Sequence, residues 1–324
     1  MHHLLQATEE DGFPRRSFPT TVRITFSRSQ YPPNTPFRLV DPDGQEAPVQ
    51  IDPVTVWDNG SMRTVDITFA PFLNRGQTKI YTLDDAPGEA RVRNPVTVHE
   101  EADLAEVRQG VIAYTIPKQD FNLVDTVVSK DHPFLQTGAC GPVLVLNDNR
   151  ELMPEGPVTL KTETRGPWAG RLHVEGTYPE GYAFLTDLTF VSSKTWFLAR
   201  HQIVSGNTSQ IKAIHIESHF NLPDGPLTSA FGARTRADGV GTGWAVVTDG
   251  VHTVDIATPH AWFAARSVRY ECEPNGLFRA MYPFENRACQ IYYHYLSGPP
   301  DDIKNTPAAA MVAGLRVRQI SPGG

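Results

Sequence analysis

Apolar and polar residues alternate with a period of two through most of this chain, and this pattern constrains the fold most. Within the stretch 48–83, Val65, Ile67 and Phe69 are spaced to lie on one face of a strand. Residues 58–61 (DNGS) separate two such runs and suit a tight hairpin turn. The 27 prolines and 25 glycines favour frequent turns over long helices. The sequence therefore predicts an all-β protein.

The strand pattern falls into two sets, which predict two domains. Short strands at turn spacing predict a small β-barrel or sandwich over residues 18–99. Longer strands predict a larger antiparallel β-sandwich over residues 108–322, in which the apolar run 143–146 is buried on both faces. The acidic stretch 100–107 between them predicts an exposed linker.

The two ends of the chain give separate predictions. Residues 1–17 predict a loosely held leader. The run 306–314 (TPAAAMVAG) predicts a helix, because Thr caps it, Pro occupies its first turn and Gly stops it. Residues 315–320 predict a last strand that returns to the sheet.

Charge and composition exclude several classes of function. The net charge of −7 is spread along the chain, so no basic patch is available for nucleic acid, although a local cleft of basic residues could still bind an acidic glycan. No apolar run reaches the roughly 18 residues of a membrane span. The start lacks a signal peptide, which predicts a soluble cytoplasmic protein, or a secreted one if an upstream signal has been removed. Buried free thiols are favoured over a Cys272–Cys289 disulfide.

Several stretches resemble the exo-rhamnogalacturonan lyase-like proteins. The similar stretches are 22–26, 38–44 and 56–63 for their first domain, and 110–118, 121–123, 170–176 and 200–204 for their central β-sandwich. The resemblance implies a RIFT-type β-barrel followed by that sandwich. Those lyases continue into a large α/α-barrel domain that houses most of the catalytic machinery, and no counterpart follows Ile320. The resemblance therefore implies the non-catalytic half of such an enzyme.

His215, Glu217 and His219 form the sharpest local group of candidate site residues. On a strand they point to one face at steps of about 6.6–6.8 Å. Such a face suits glycan binding or a catalytic base, and with His201 or His294 as a further ligand it suits a metal. A polar, solvated outer face of a sheet is the simpler alternative, and we predict no metal and no cofactor.

Other candidates lie on probable sandwich strands. Residues 290–296 (QIYYHYL) put Tyr293 and Tyr295 on one face, where they either stack on sugars and exchange protons or simply pack in the core. Arg171, Arg200 and Arg266 can each neutralise a uronate carboxylate, or pair with a carboxylate on a neighbouring strand. Trp168 lies beside Gly166-Pro167 in a loop and is a candidate sugar platform.

These observations support three functional hypotheses. The first is an accessory protein that binds a polysaccharide or oligosaccharide, or that assembles with a separate catalytic subunit or with its own copies. Its predicted binding residues are Arg171, Trp168, Glu217, Tyr295 and His294. The second is a self-sufficient polysaccharide lyase or other carbohydrate-active enzyme with catalytic residues His201, His215, His219, Tyr293 and Arg200. The third is a structural protein that self-assembles.

Overall fold

The computed structural model consists mainly of antiparallel β-strands, which confirms the all-β class. It describes residues 2–10, 12, 14–15, 18–136, 141–192, 195–235, 241–259, 268–284, 288–297 and 315–320. Two short 3-10 turns, Pro179–Gly181 and Thr208–Gln210, interrupt the strands. The predicted helix at 306–314, Arg266 and Cys140, which is the third cysteine of the chain, lie outside the described residues. Within the described part of the chain, no helix is both long enough and apolar enough to cross a membrane.

The strands follow one another closely along the chain. They are β1 (His2–Glu9), β2 (Thr20–Thr25), β3 (Arg38–Val40), β4 (Glu46–Ala47), β5 (Val49–Val56), β6 (Met62–Phe69), β7 (Thr78–Asp84), β8 (Val96–Glu100), β9 (Leu104–Gln109), β10 (Ile112–Pro117), β11 (Thr126–Ser129), β12 (His132–Pro133), β13 (Gly141–Leu146), β14 (Glu151–Leu152), β15 (Glu155–Arg165), β16 (Ala169–Tyr178), β17 (Tyr182–Val191), β18 (Trp196–Ser205), β19 (Ile211–His219), β20 (Thr228–Thr235), β21 (Gly241–Thr248), β22 (His252–Pro259), β23 (Arg269–Cys272), β24 (Leu277–Pro283), β25 (Ala288–Ser297) and β26 (Leu315–Ile320).

The first of two compact units comprises Met1–Pro95, Gly166–Ala169 and Ala313–Gly324. Its sheets have the strand orders β26-β1-β7-β3-β4 and β2-β6-β5. Val65, Ile67 and the other buried apolar residues of these two sheets share a single apolar core. The predicted hairpin turn joins β5 to β6, where Gly60 has a φ of +79° that favours glycine.

Both ends of the chain differ from their predictions in this unit. Residues 2–9 are no loose leader: β1 pairs with β7 on one side and β26 on the other, and its Leu5 and Ala7 are fully buried. The last strand, β26, forms as predicted but belongs to this unit, where it pairs with β1, and not to the predicted sandwich. Pairing with distant strands buries β1, and an eight-residue segment with few apolar residues gives little local sign of it.

The second unit comprises Val96–Arg165 and Gly170–Val312. Its sheets have the strand orders β12-β11-β10-β9-β8, β14-β13-β19-β24-β23 and β15-β16-β17-β18-β25-β22-β21-β20. Tyr114 of the first sheet contacts Phe197 of the eight-stranded sheet, and Phe220, just after β19, contacts Tyr293 of the same large sheet. Both five-stranded sheets therefore pack on the eight-stranded one, as the predicted sandwich requires. Strand β13 is buried along its whole length, as expected.

The predicted linker 100–107 is part of a hairpin in this unit: it covers the end of β8, a short exposed turn and most of β9. Strands β8 and β9 form an antiparallel pair, and Val96 and Val107 contribute to the core. Glu100 accepts hydrogen bonds from Thr162 Oγ1 at 2.8 Å and Lys118 Nζ at 3.2 Å. Its acidic side chain thus has fixed partners on neighbouring strands.

Candidate functional site

An open cleft lies on the outer face of the sheet β14-β13-β19-β24-β23 in the second unit. Ile214 and Ile216 of β19 point into the core, so the intervening His215 points outward. The cleft has a volume of about 510 Å³. Its apolar residues are Val145, Ala213, Met281, Tyr282 and Pro283, and its polar residues are Asn149, Glu151, Lys212, His215 and Arg269.

His215 is the one predicted catalytic residue that lines this cleft. It lies between Val143 and Met281 on the two neighbouring strands. Its Nδ1 atom is buried and has no hydrogen-bond partner among the described residues. Burial lowers the pKa of His215, and the nearby Glu217 and Glu151 only partly oppose this effect. The ring is therefore neutral at pH 7 and can accept a proton or hydrogen-bond to a ligand.

Exposed charged side chains surround the apolar floor of the cleft. Lys212 Nζ donates a hydrogen bond of 2.6 Å to Asn149 Oδ1, and Asn149 occupies a turn with a φ of +67° that asparagine tolerates. Arg269 and Glu151 are exposed at the cleft as well. With His215 neutral, the two cations outnumber the one carboxylate, so these cleft residues favour an anionic ligand.

A β-bulge in β19 explains why Lys212 lies in the cleft. Val145 pairs with Ala213 but the next residue, Leu146, pairs with Ile211, so Lys212 is the extra residue. Strict alternation would place Lys212 and His215 on opposite faces. The bulge interrupts the alternation and allows both side chains to line one cleft.

Glu217 and His219 share the outward face of β19 with His215 but have partners elsewhere. Arg279 on β24 lies opposite Glu217 and donates a hydrogen bond of 2.8 Å from Nε to its carboxylate. His219 Nε2 lies 2.7 Å from the carbonyl oxygen of Asn275, in the turn before β24. Neither side chain lines the cleft.

Three predicted site residues lie in the sandwich core, so we leave them out of the site. His201 is fully buried between the hydroxyl groups of Tyr178 and Thr186, and burial lowers its pKa to about 3. Tyr293 accepts a hydrogen bond of 2.8 Å from Ser218, and its ring is buried beside that of Tyr295. The alternation along β18 and β25 turns these three side chains inward, where no glycan can reach them.

The remaining predicted residues lie away from the cleft. Arg200 is exposed on the eight-stranded sheet, opposite Asp187 on the neighbouring strand. Arg171 and His294 belong to the same sheet, and His294 is buried with its Nδ1 3.9 Å from a carboxylate oxygen of Asp255. Trp168 is no exposed platform: it is buried in the first unit, where its indole N–H donates to the carbonyl of Pro48 at 2.8 Å.

Comparison with known proteins shows similarity in fold to solved structures and identifies no family. The sequence matches no protein-family model and no curated protein. A solved structure described as a protein in the glycosyl hydrolase family 38 from Enterococcus faecalis has a TM-score of 0.64 and 10% identity, and the match covers 99% of this chain and 47% of that one. An alpha-mannosidase from Enterococcus faecalis V583 has a TM-score of 0.66 and 10% identity, with 99% and 46% covered.

Both matches are too distant in sequence to transfer an activity. Neither is described as a rhamnogalacturonan lyase, so that more specific resemblance stays a prediction. This chain spans about half the length of the two proteins, and throughout that half it is similar to them in fold.

Proposed function

We propose that this protein binds an oligosaccharide that carries a carboxylate group, in the cleft beside His215, as an accessory module. The observation that carries the proposal is the pair of exposed cations, Lys212 and Arg269, at a cleft with an apolar floor. Cationic side chains hydrogen-bond a uronate carboxylate, and an apolar floor suits the C–H faces of sugar rings.

The fold supports a carbohydrate ligand over other anions. The two similar structures are described as a glycosyl hydrolase family 38 protein and an alpha-mannosidase. The predicted resemblance to the non-catalytic half of polysaccharide lyases points to the same class of ligand. Nucleic acid is disfavoured because the net charge is −7.

Calorimetric titration tests this proposal. A galacturonate oligosaccharide is expected to bind, and an uncharged mannose oligosaccharide of the same length to bind more weakly. Lys212→Ala and Arg269→Ala should each weaken binding by roughly 1–3 kcal/mol, about 5- to 150-fold, because each removes a charge-assisted hydrogen bond. Lys161→Ala, an exposed lysine on β15, is the matched control. Unchanged affinity in both cleft variants would contradict the proposal.

A second function, polysaccharide lyase activity, is favoured by the neutral His215 in the same cleft. In a β-elimination, the cations neutralise the uronate carboxylate, which makes the α-proton acidic. An imidazole nitrogen takes that proton, a C=C bond forms in the uronate as the bond to the leaving sugar oxygen breaks, and that oxygen takes a proton from the imidazolium or from water. Because the pKa of His215 is lowered, the rate should persist below pH 6.5, the ordinary pKa of histidine, and fall at more acidic pH.

Ultraviolet absorbance of the unsaturated uronate separates the two functions. Lyase activity is supported if the wild-type protein turns over the substrate and His215→Ala abolishes that turnover while it retains the oligosaccharide affinity. Binding without any rise in absorbance would support the accessory role alone.

A further inference from the structure

Asp224, Asp249 and His252 bring three potential metal ligands together in the second unit. Asp224 follows β19, Asp249 lies in the turn between β21 and β22, and His252 begins β22. One ligand atom from each lies within 4.8 Å of the other two. His252 Nδ1 is 3.1 Å from Asp224 Oδ2 and 3.8 Å from Asp249 Oδ2. These separations suit donors that share one cation at about 2.0–2.4 Å.

Backbone groups hold the Asp249 carboxylate in place. Its side chain is fully buried. Oδ1 accepts hydrogen bonds from the backbone N–H groups of Val251 at 2.9 Å and His252 at 2.7 Å. Oδ2 accepts a hydrogen bond from the backbone N–H group of Asp224 at 3.1 Å. The carboxylate is therefore oriented without a ligand, and such supporting hydrogen bonds are typical around metal ligands.

The His252 ring is fixed by its aromatic neighbours. It stacks on His132 with 3.7 Å between ring centroids and an interplanar angle of 5°, and it meets Phe134 edge-on at 5.6 Å. This packing leaves Nδ1 facing the two carboxylates. The nitrogen is buried, and its approaches to the two carboxylates do not have hydrogen-bond geometry. A cation between the nitrogen and the carboxylates would give this buried nitrogen a bonding partner.

We propose that Asp224, Asp249 and His252 bind one divalent transition-metal ion of the Zn²⁺ or Mn²⁺ type. An imidazole with two carboxylates suits these ions, whereas Ca²⁺ takes oxygen ligands. Asp224 has a side chain that is 48% exposed, so an ion can enter from solvent and keep water in its remaining positions. The bound ion would fasten the loop after β19 to the β21–β22 turn. This site is independent of the cleft and of its ligand.

Calorimetric titration of the chelator-treated full chain tests the site. The wild type should bind one equivalent of Zn²⁺ or Mn²⁺, with much weaker binding of Ca²⁺. Asp224→Asn and His252→Gln should each weaken that binding by about tenfold or more, since each removes a ligand. Asp58→Asn and His99→Gln replace exposed residues of the same two types and should leave the affinity unchanged. The metal should also raise the melting temperature of the wild type but not of the two site variants.

Two results would overturn the proposal. One is a wild-type protein that binds neither Zn²⁺ nor Mn²⁺ stoichiometrically, in which case His252 and the carboxylates form an ordinary ion pair. The other is full affinity in Asp224→Asn and His252→Gln, which would assign the ion to other histidines. Circular dichroism checks that the variants fold; if His252→Gln does not, the half-exposed Asp224→Asn decides.

Discussion

At the scale of single residues, His201 links the stability of the sandwich to pH. Tyr178 donates its hydroxyl proton to the carbonyl of Pro142 at 3.0 Å, which leaves the hydroxyl oxygen to accept from His201 Nε2 at 3.0 Å. Nδ1 then accepts from the Thr186 hydroxyl at 2.8 Å. This network satisfies the neutral ring completely. Burial lowers the pKa of His201 to about 3, against 6.5 for an ordinary histidine, so the folded state resists protonation.

The sign of the effect follows from proton linkage. A depressed histidine pKa contributes full stability above about pH 6.5, and this contribution is lost as the pH falls towards 3. The loss approaches about 1.4 kcal/mol per pH unit.

We predict that His201→Gln makes the unfolding free energy less dependent on pH. Between pH 7 and pH 5 the wild type should lose about 2 kcal/mol more stability than the variant, because only its unfolded state takes up this proton. Urea unfolding at the two pH values measures the difference. His99→Gln changes an exposed histidine and should follow the wild type. A His201→Gln protein with the full wild-type pH dependence would contradict the prediction.

At the scale of elements, the partners of β19 determine which of its residues belong to the site. Alternation alone predicted that His215, Glu217 and His219 share a face, and they do. It gave no sign of Arg279, which faces Glu217 from a strand about 60 residues further along, or of the bulge at Lys212. Cross-strand neighbours and bulges depend on pairing between distant segments, so a local pattern cannot specify them.

The difference between local patterns and distant pairing also explains which strand predictions were confirmed and which failed. The predicted strand 143–146, which has a clear apolar pattern of its own, corresponds to β13. Strand β1 was missed because it has no strong alternation of its own and forms by pairing with distant strands. Trp168 was taken as exposed because its loop has no periodicity, while Gln50, far away in sequence, binds that loop.

We predict that the Glu217–Arg279 pair stabilises the β19–β24 pairing. Arg279→Met should cost roughly 1–3 kcal/mol of unfolding free energy, because it leaves the Glu217 carboxylate, which is 17% exposed, without its cation. Adding Glu217→Gln should restore part of that loss, and urea unfolding of the four proteins gives the coupling energy. Arg28→Met breaks the exposed Arg28–Asp58 pair and should cost under about 1 kcal/mol. Equal costs for the two arginine variants would refute a stabilising role for the pair.

At the scale of the whole molecule, the first unit is assembled from three separate parts of the chain. Gly166–Ala169 belongs to it although the flanking segments belong to the second unit. Gln50 Oε1 accepts hydrogen bonds from the backbone N–H groups of Trp168 at 2.6 Å and Ala169 at 2.9 Å, and Gln50 Nε2 donates to the Ala169 carbonyl at 3.2 Å. These hydrogen bonds fasten the segment to β5.

We predict that a fragment of residues 18–99 does not fold stably. It retains the continuous strand pattern that predicts a small barrel or sandwich, but it lacks β1, β26 and Gly166–Ala169. Loss of β1 removes Leu5 and Ala7 from the core and leaves one edge of β7 unpaired. Amide proton NMR should show an unfolded spectrum, with the full chain under the same conditions as the control. A dispersed spectrum and a cooperative melting transition of the fragment would contradict this prediction.

The pairing of β1 with β26, in which Leu4 lies opposite Ile320, sets an order of events during synthesis on the ribosome. At about 5–20 residues per second, β1 emerges tens of seconds before its second neighbour exists. While the sandwich is translated, one edge of β1 has unpaired N–H and C=O groups that can pair with another strand. Strand β1 is thus translated long before the strand that completes its pairing.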